Sequence, residues 1–82
     1  MLPKTLALVD DDLEYTEYLA QHLREADVQV RVFADSNALL ADDGAYGFDF
    51  YVLDLMLPGV DGVQLIKILR MRTDAGILVV SG

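Results

Sequence analysis

Two apolar runs in this sequence stop abruptly at aspartates: Thr5-Leu6-Ala7-Leu8-Val9 at Asp10-Asp11-Asp12, and Phe50-Tyr51-Val52-Leu53 at Asp54. A third run, Ile77-Leu78-Val79-Val80, stops at Ser81. Taken singly, each end has a plain structural explanation: Asp54 as a turn cap, Asp10 to Asp12 as an acidic helix start, Ser81 as a loop hydroxyl. Taken together, they are polar groups delivered by three buried segments to the places where the chain leaves its core. Like carboxylates held close either retain a proton or recruit a cation. With 14 acidic residues against 6 basic ones, side-chain pairing cannot neutralise such a cluster. Oxygen ligands without sulfur or histidine suit Mg2+, which takes few carboxylates and keeps several waters. Once a cation screens the cluster, an aspartate can act as a nucleophile toward a phosphoryl group.

Positioning these groups requires the runs to be strands. Each is too short for a helix and too uniformly apolar for a half-exposed strand, which predicts strands buried on both faces of a parallel sheet. Residues 13–26 follow helical spacing, with Tyr15, Tyr18, Leu19, His22, Leu23 and Ala26 on one stripe and Asp12 as N-cap. Val28, Val30 and Val32 alternate with Gln29 and Arg31, the pattern of a strand with one wetter face near a sheet edge. Asp35 or Ser36 caps a short helix that runs through Ala41. After Asp54, Leu57-Pro58-Gly59 turns the chain, and Asp61 caps a helix from Gly62 to about Arg72. That helix is apolar at Val63, Ile66 and Leu69, with Leu65 and Ile68 widening the face. The order β-α-β-α-β-α-β predicts an α/β fold: a doubly wound parallel sheet with right-handed crossovers and helices on both faces. In such sheets ligands bind outside the carboxyl ends of the strands, where the aspartates fall.

Composition narrows the function. At 82 residues the chain is at most one small domain, and 54% hydrophobic with 24% charged residues is core-forming rather than disordered. A net charge of −8 repels phosphate backbones, which argues against direct nucleic-acid binding and favours a divalent cation or a basic partner face. Without cysteine there are no disulfides and no thiolate metal sites. No apolar run approaches the length of a membrane span, and Met1-Leu2-Pro3-Lys4 lacks the apolar core of a signal peptide, so the expected location is cytoplasmic.

The segments LALVDDD, YVLDLMLPGVDG and ILVVSG together resemble the receiver domain of bacterial two-component response regulators, a flavodoxin-like fold. The resemblance covers the whole chain, and the spacing from Asp11 to Asp54 is typical of that family. It implies that Asp54 is the phosphoacceptor and that Asp11 is a direct Mg2+ ligand. It further implies that Asp10 acts mainly through a metal-bound water, and that Met56 contributes its backbone carbonyl. Ser81 matches the hydroxyl that bonds the phosphoryl group and moves on switching, and Pro58 shapes the loop after the acceptor. The implied donor is a sensor histidine kinase or phosphotransfer protein, and the implied role is signalling rather than enzymatic. His22 reads as a packed or half-buried histidine, Tyr15, Tyr18 and Tyr51 as core or rim packing, and Tyr46 as a loop residue.

The family continues with a further helix, a fifth strand carrying a lysine that pairs with the phosphoryl group, and a last helix. Lys4 and Lys67 are the only lysines here and neither matches. The expectation is a receiver over residues 1–82 that is incomplete at its C-terminus, with the fourth strand an exposed apolar edge prone to self-association. Two other readings share the sheet. One is an interaction or dimerisation module that never carries phosphate. The other is a phosphohydrolase with an aspartate nucleophile, which needs a second acid two residues on, where Met56 stands.

Overall fold

A computed structural model of the chain describes residues 3–54 and 61–80. The elements run β1 (Thr5–Val9), α1 (Leu13–Glu25), β2 (Gln29–Phe33), α2 (Ser36–Leu40), β3 (Phe50–Asp54), α3 (Gly62–Arg72) and β4 (Gly76–Val80). All pairings are parallel, in the order β2-β1-β3-β4. The expected alternation and the edge position of β2 both hold.

Side-chain alternation divides the core into two layers. On one face Ala7 and Val9 of β1 and Tyr51 and Leu53 of β3 pack with Leu39 of α2 and Leu65 and Leu69 of α3. On the other, Leu6, Leu8 and Val52 pack with Ala20 of α1, joined by Leu19 and Leu23. Each helix starts on an aspartate whose carboxylate accepts a backbone N–H of the first turn: Asp12 from Tyr15, Asp35 from Ala38 and Asp61 from Gln64.

Two helix faces differ from the periodic reading. In α1 the fully buried residues are Thr16 and Ala20, flanked by the partly buried Leu19 and Leu23. Tyr18, 67% exposed, lies outward with its ring edge-on to the exposed His22 at 4.5 Å, and Tyr15 sits at the rim. Small side chains let the helix lie close on the sheet, whereas a buried phenol needs a partner for its hydroxyl, so the aromatic stripe turns to solvent. Tyr51 has such a partner: its hydroxyl donates to the Ala45 carbonyl inside the core. In α3 the buried line is Gly62, Leu65 and Leu69, and Val63 is exposed. β4 also departs from full burial, with Leu78 52% and Val79 38% exposed. Among the described residues β4 has a strand on one side only.

The foot of the sheet is pinned by side chains. The Asp49 carboxylate accepts the N–H groups of Lys4 and Thr5, while Thr5 Oγ1 accepts the Asp49 N–H from 44 residues away in sequence. These bonds hold β1 and β3 in the register that pairs Leu6 with Phe50 and Val9 with Leu53.

The turn from α1 to β2 carries a local strain. Asp27 has φ 66°, its N–H donates to the Arg24 carbonyl, and the Val28 N–H reaches back to the Leu23 carbonyl. This is a left-handed helix cap of the kind glycine usually fills. An aspartate there also sets a negative charge at the negative end of the helix dipole. Asp27→Gly is therefore expected to raise the unfolding free energy by about 0.5–1 kcal/mol, read from the urea midpoint.

Candidate functional site

The register that pairs Val9 with Leu53 places the next residues, Asp10 and Asp54, side by side at the C-terminal edge of the sheet. Asp10 is fixed by its backbone, whose N–H donates to the Phe33 carbonyl at 3.0 Å, extending the ladder with β2. Its Oδ1 accepts the Asp12 N–H at 2.9 Å, and Asp12 Oδ1 in turn accepts the Tyr15 N–H at 3.1 Å. A short chain of hydrogen bonds thus links the acidic cluster to the first turn of α1. Asp10 is buried, Asp54 half-buried and Asp11 exposed.

One oxygen from each of Asp10, Asp11 and Asp54 lies within 4.8 Å of the others. An octahedral Mg2+ spans about 3–4 Å between ligand oxygens, so small side-chain rotations bring this set to the spacing of a hard cation. The cleft around them, about 410 Å3, is lined by Asp10, Asp11, Asp12, Tyr15, Asp54 and Val80. A depression of about 510 Å3 at the far end of α1, beside Arg24, Asp27 and Gln29, gathers no comparable chemistry.

Burial pushes the Asp10 carboxyl above the usual carboxylate range. The Asp12 N–H pulls it back, and the charges of Asp54, Asp11 and Asp12 push it up again. The folded chain therefore holds this proton more tightly than the unfolded one. The resulting contribution turns against folding as pH rises through the carboxylate range and persists at neutrality. Asp10→Asn keeps an oxygen for the Asp12 N–H and removes the charge. Without divalent cation it is expected to melt higher than the parent at neutral pH, with a flatter acid-side dependence. Mg2+ should stabilise the parent by about 2.7 kcal/mol at a hundredfold excess over Kd and the variant much less, as thermal melts with and without chelator would reveal.

The expected convergence of Asp10, Asp11 and Asp54 is thus present. Met56 and Ser81 lie outside the described residues, as does Pro58. Tyr15 and Val80 line the cleft without having been expected there. The available signal was position: Tyr15 lies one turn beyond the acidic run, and Val80 is the register partner of Asp54. His22, read as packed or half-buried, lies on the exposed side of α1, away from the cluster. Among the described residues no helix is long and apolar enough to cross a membrane.

Comparison with known proteins gives consistent results. Residues 6–82 match the profile of the response regulator receiver domain. The chain is 37% identical over 76 residues to the transcriptional activator protein PfeR of Pseudomonas aeruginosa, covering 93% of this chain and 25% of that protein. It is 34% identical over 77 residues to the sensory transduction protein RegX3 of Mycobacterium tuberculosis, covering 94% of this chain and 34% of the relative. The BeF3-activated N-terminal receiver domain of RstA from Klebsiella pneumoniae superposes with a TM-score of 0.85 at 28% identity, over 94% of this chain and 66% of that one. The chain therefore spans about a quarter to a third of the length of these curated relatives.

Proposed function

The chain belongs to the response regulator receiver domain family, and from that premise we propose that it accepts a phosphoryl group on Asp54. Receiver domains of this family are signalling modules of two-component systems. The observation that carries the assignment is the trio Asp10, Asp11 and Asp54, one oxygen of each within 4.8 Å of the others at the carboxyl edge of the sheet. Asp54 ends β3 next to the buried Asp10 and the exposed Asp11, so it is held by rigid backbone while facing a cleft open to a donor.

In this reading Asp11 and Asp54 would hold Mg2+ directly, Asp10 would act mainly through a water on the cation, and Met56 would offer its backbone carbonyl. When bound, the cation offsets the charge on the phosphoryl oxygens. A carboxylate oxygen of Asp54 forms the new bond to phosphorus as the nitrogen–phosphorus bond of a phosphohistidine breaks. The departing imidazole takes up a proton from solvent. The donor is a sensor histidine kinase or a phosphotransfer protein, which implies a cytoplasmic setting, and Ser81 would bond the transferred group. The activated state of RstA with BeF3 supports the same use of the fold.

A second reading is favoured by the exposure of Leu78 and Val79: the chain as a binding module, including self-association through the β4 edge. One experiment separates the two. After incubation with acetyl phosphate, intact mass should show a single phosphoryl gain that requires Mg2+. No gain, with a molecular size that rises with concentration in sedimentation, would favour the binding module instead.

A further inference from the structure

We infer that the ring of Tyr15 sets the lifetime of a phosphoryl group on Asp54, an inference that rests on the phosphoacceptor reading above. Among the described residues, Tyr15 and Val80 are the two shared by the acidic cleft and by an apolar groove of about 350 Å3 on the α1 face of the sheet. That groove also takes in Leu19, Leu23, Phe50 and Leu78. The Tyr15 side chain is therefore a partition, with carboxylates on one side and hydrocarbon on the other. The other described residues lining the cleft are all aspartates, so among the described residues Tyr15 and Val80 supply its apolar wall.

The partition is anchored. The Tyr15 N–H donates to Asp12 Oδ1 at 3.1 Å, and the Asp12 N–H donates to Asp10 Oδ1 at 2.9 Å. Two successive bonds thus tie the root of the ring to a carboxylate of the cluster. At 42% exposure the ring is partly withdrawn from solvent while still bordering the opening.

An acyl phosphate is lost when a water oxygen bonds phosphorus as the bond from phosphorus to Asp54 Oδ breaks. The carboxylate leaves, one water proton stays on inorganic phosphate, and the other passes to solvent. An apolar wall on the cleft restricts the water that can take part. Trimming the wall joins the cleft to the groove and admits water from that side.

The test uses the whole chain, phosphorylated with acetyl phosphate and Mg2+ and then freed of donor, with the phosphorylated mass followed in time. Tyr15→Ala is expected to shorten the half-life by roughly three- to tenfold. Tyr15→Phe, which keeps the wall and loses the hydroxyl, should stay within about twofold of the parent. A readout independent of turnover comes from 3-fluorotyrosine labelling. The Tyr15 fluorine signal, assigned by its loss in Tyr15→Phe, should shift when Mg2+ is added to the unphosphorylated chain. An unchanged half-life in Tyr15→Ala, or a Tyr15 signal indifferent to Mg2+, overturns this inference alone. A parent chain that takes up no phosphoryl group overturns the phosphoacceptor reading and this inference with it.

Discussion

Asp54→Asn is expected to lose Mg2+-dependent phosphoryl incorporation from acetyl phosphate, by about a hundredfold or more in rate, while the fold stays in place. The amide fills nearly the same volume at the end of β3, so the pairing of Asp54 with Val80 has no reason to change. What disappears is the charge that makes the oxygen a nucleophile. One of the three carboxylates that approach within 4.8 Å also goes, which weakens the hold on a cation. Intact mass and circular dichroism together check the expectation. Reduction of the acyl phosphate with borohydride, followed by peptide mapping, should locate the modified position at residue 54 in the parent. A variant that still gains the same mass at the parent's rate would move the acceptor elsewhere and undo the assignment.

Leu53→Ala should be the most damaging of the simple core truncations near the site. Leu53 is fully buried, pairs with Val9 of β1 and Val79 of β4, and belongs to the layer under α2 and α3. Removing a buried leucine side chain costs about 2–5 kcal/mol. A domain of 82 residues has about 4–12 kcal/mol of stability in total. The variant is thus expected to lose a large share of its stability, with a markedly lower urea midpoint. Leu78→Ala provides the contrast: at 52% exposure the same truncation should cost under about 1 kcal/mol. Equally large losses would mean that Leu78 is covered, and equally small ones that Leu53 is not the packing centre inferred from its burial.

Much of the strand layout was legible because buried parallel strands leave uninterrupted apolar runs, and β1 and β3 do so up to their closing aspartates. The acidic cluster was legible for the same reason, since a carboxylate right after such a run has to emerge at the sheet edge. The helix faces were read less well. Tyr18 and His22 fit a helical stripe by spacing, yet close packing on a sheet selects the small Thr16 and Ala20, and hydropathy does not weigh size. Val63 was misplaced likewise, one position off the Leu65–Leu69 line. The Thr5–Asp49 clasp was illegible in principle, because side-chain bonds to backbone across 44 residues have no local periodic trace. The left-handed Asp27 was hidden because the position usually announces itself with glycine or asparagine.

That clasp, and the inner position of β1, bear on how the chain reaches its fold during synthesis. β1 leaves the ribosome first, yet one of its two neighbours, β3, emerges more than forty residues later. Until then β1 has only β2 beside it, and the side facing β3 lacks its partner. Long-range closure of this kind must meet its entropy before its contacts reward it, which makes folding slow and late. Apolar segments such as Leu6-Ala7-Leu8-Val9 are the ones a nascent chain would show to chaperones in the interval, and the site cannot assemble before Asp54 has been translated.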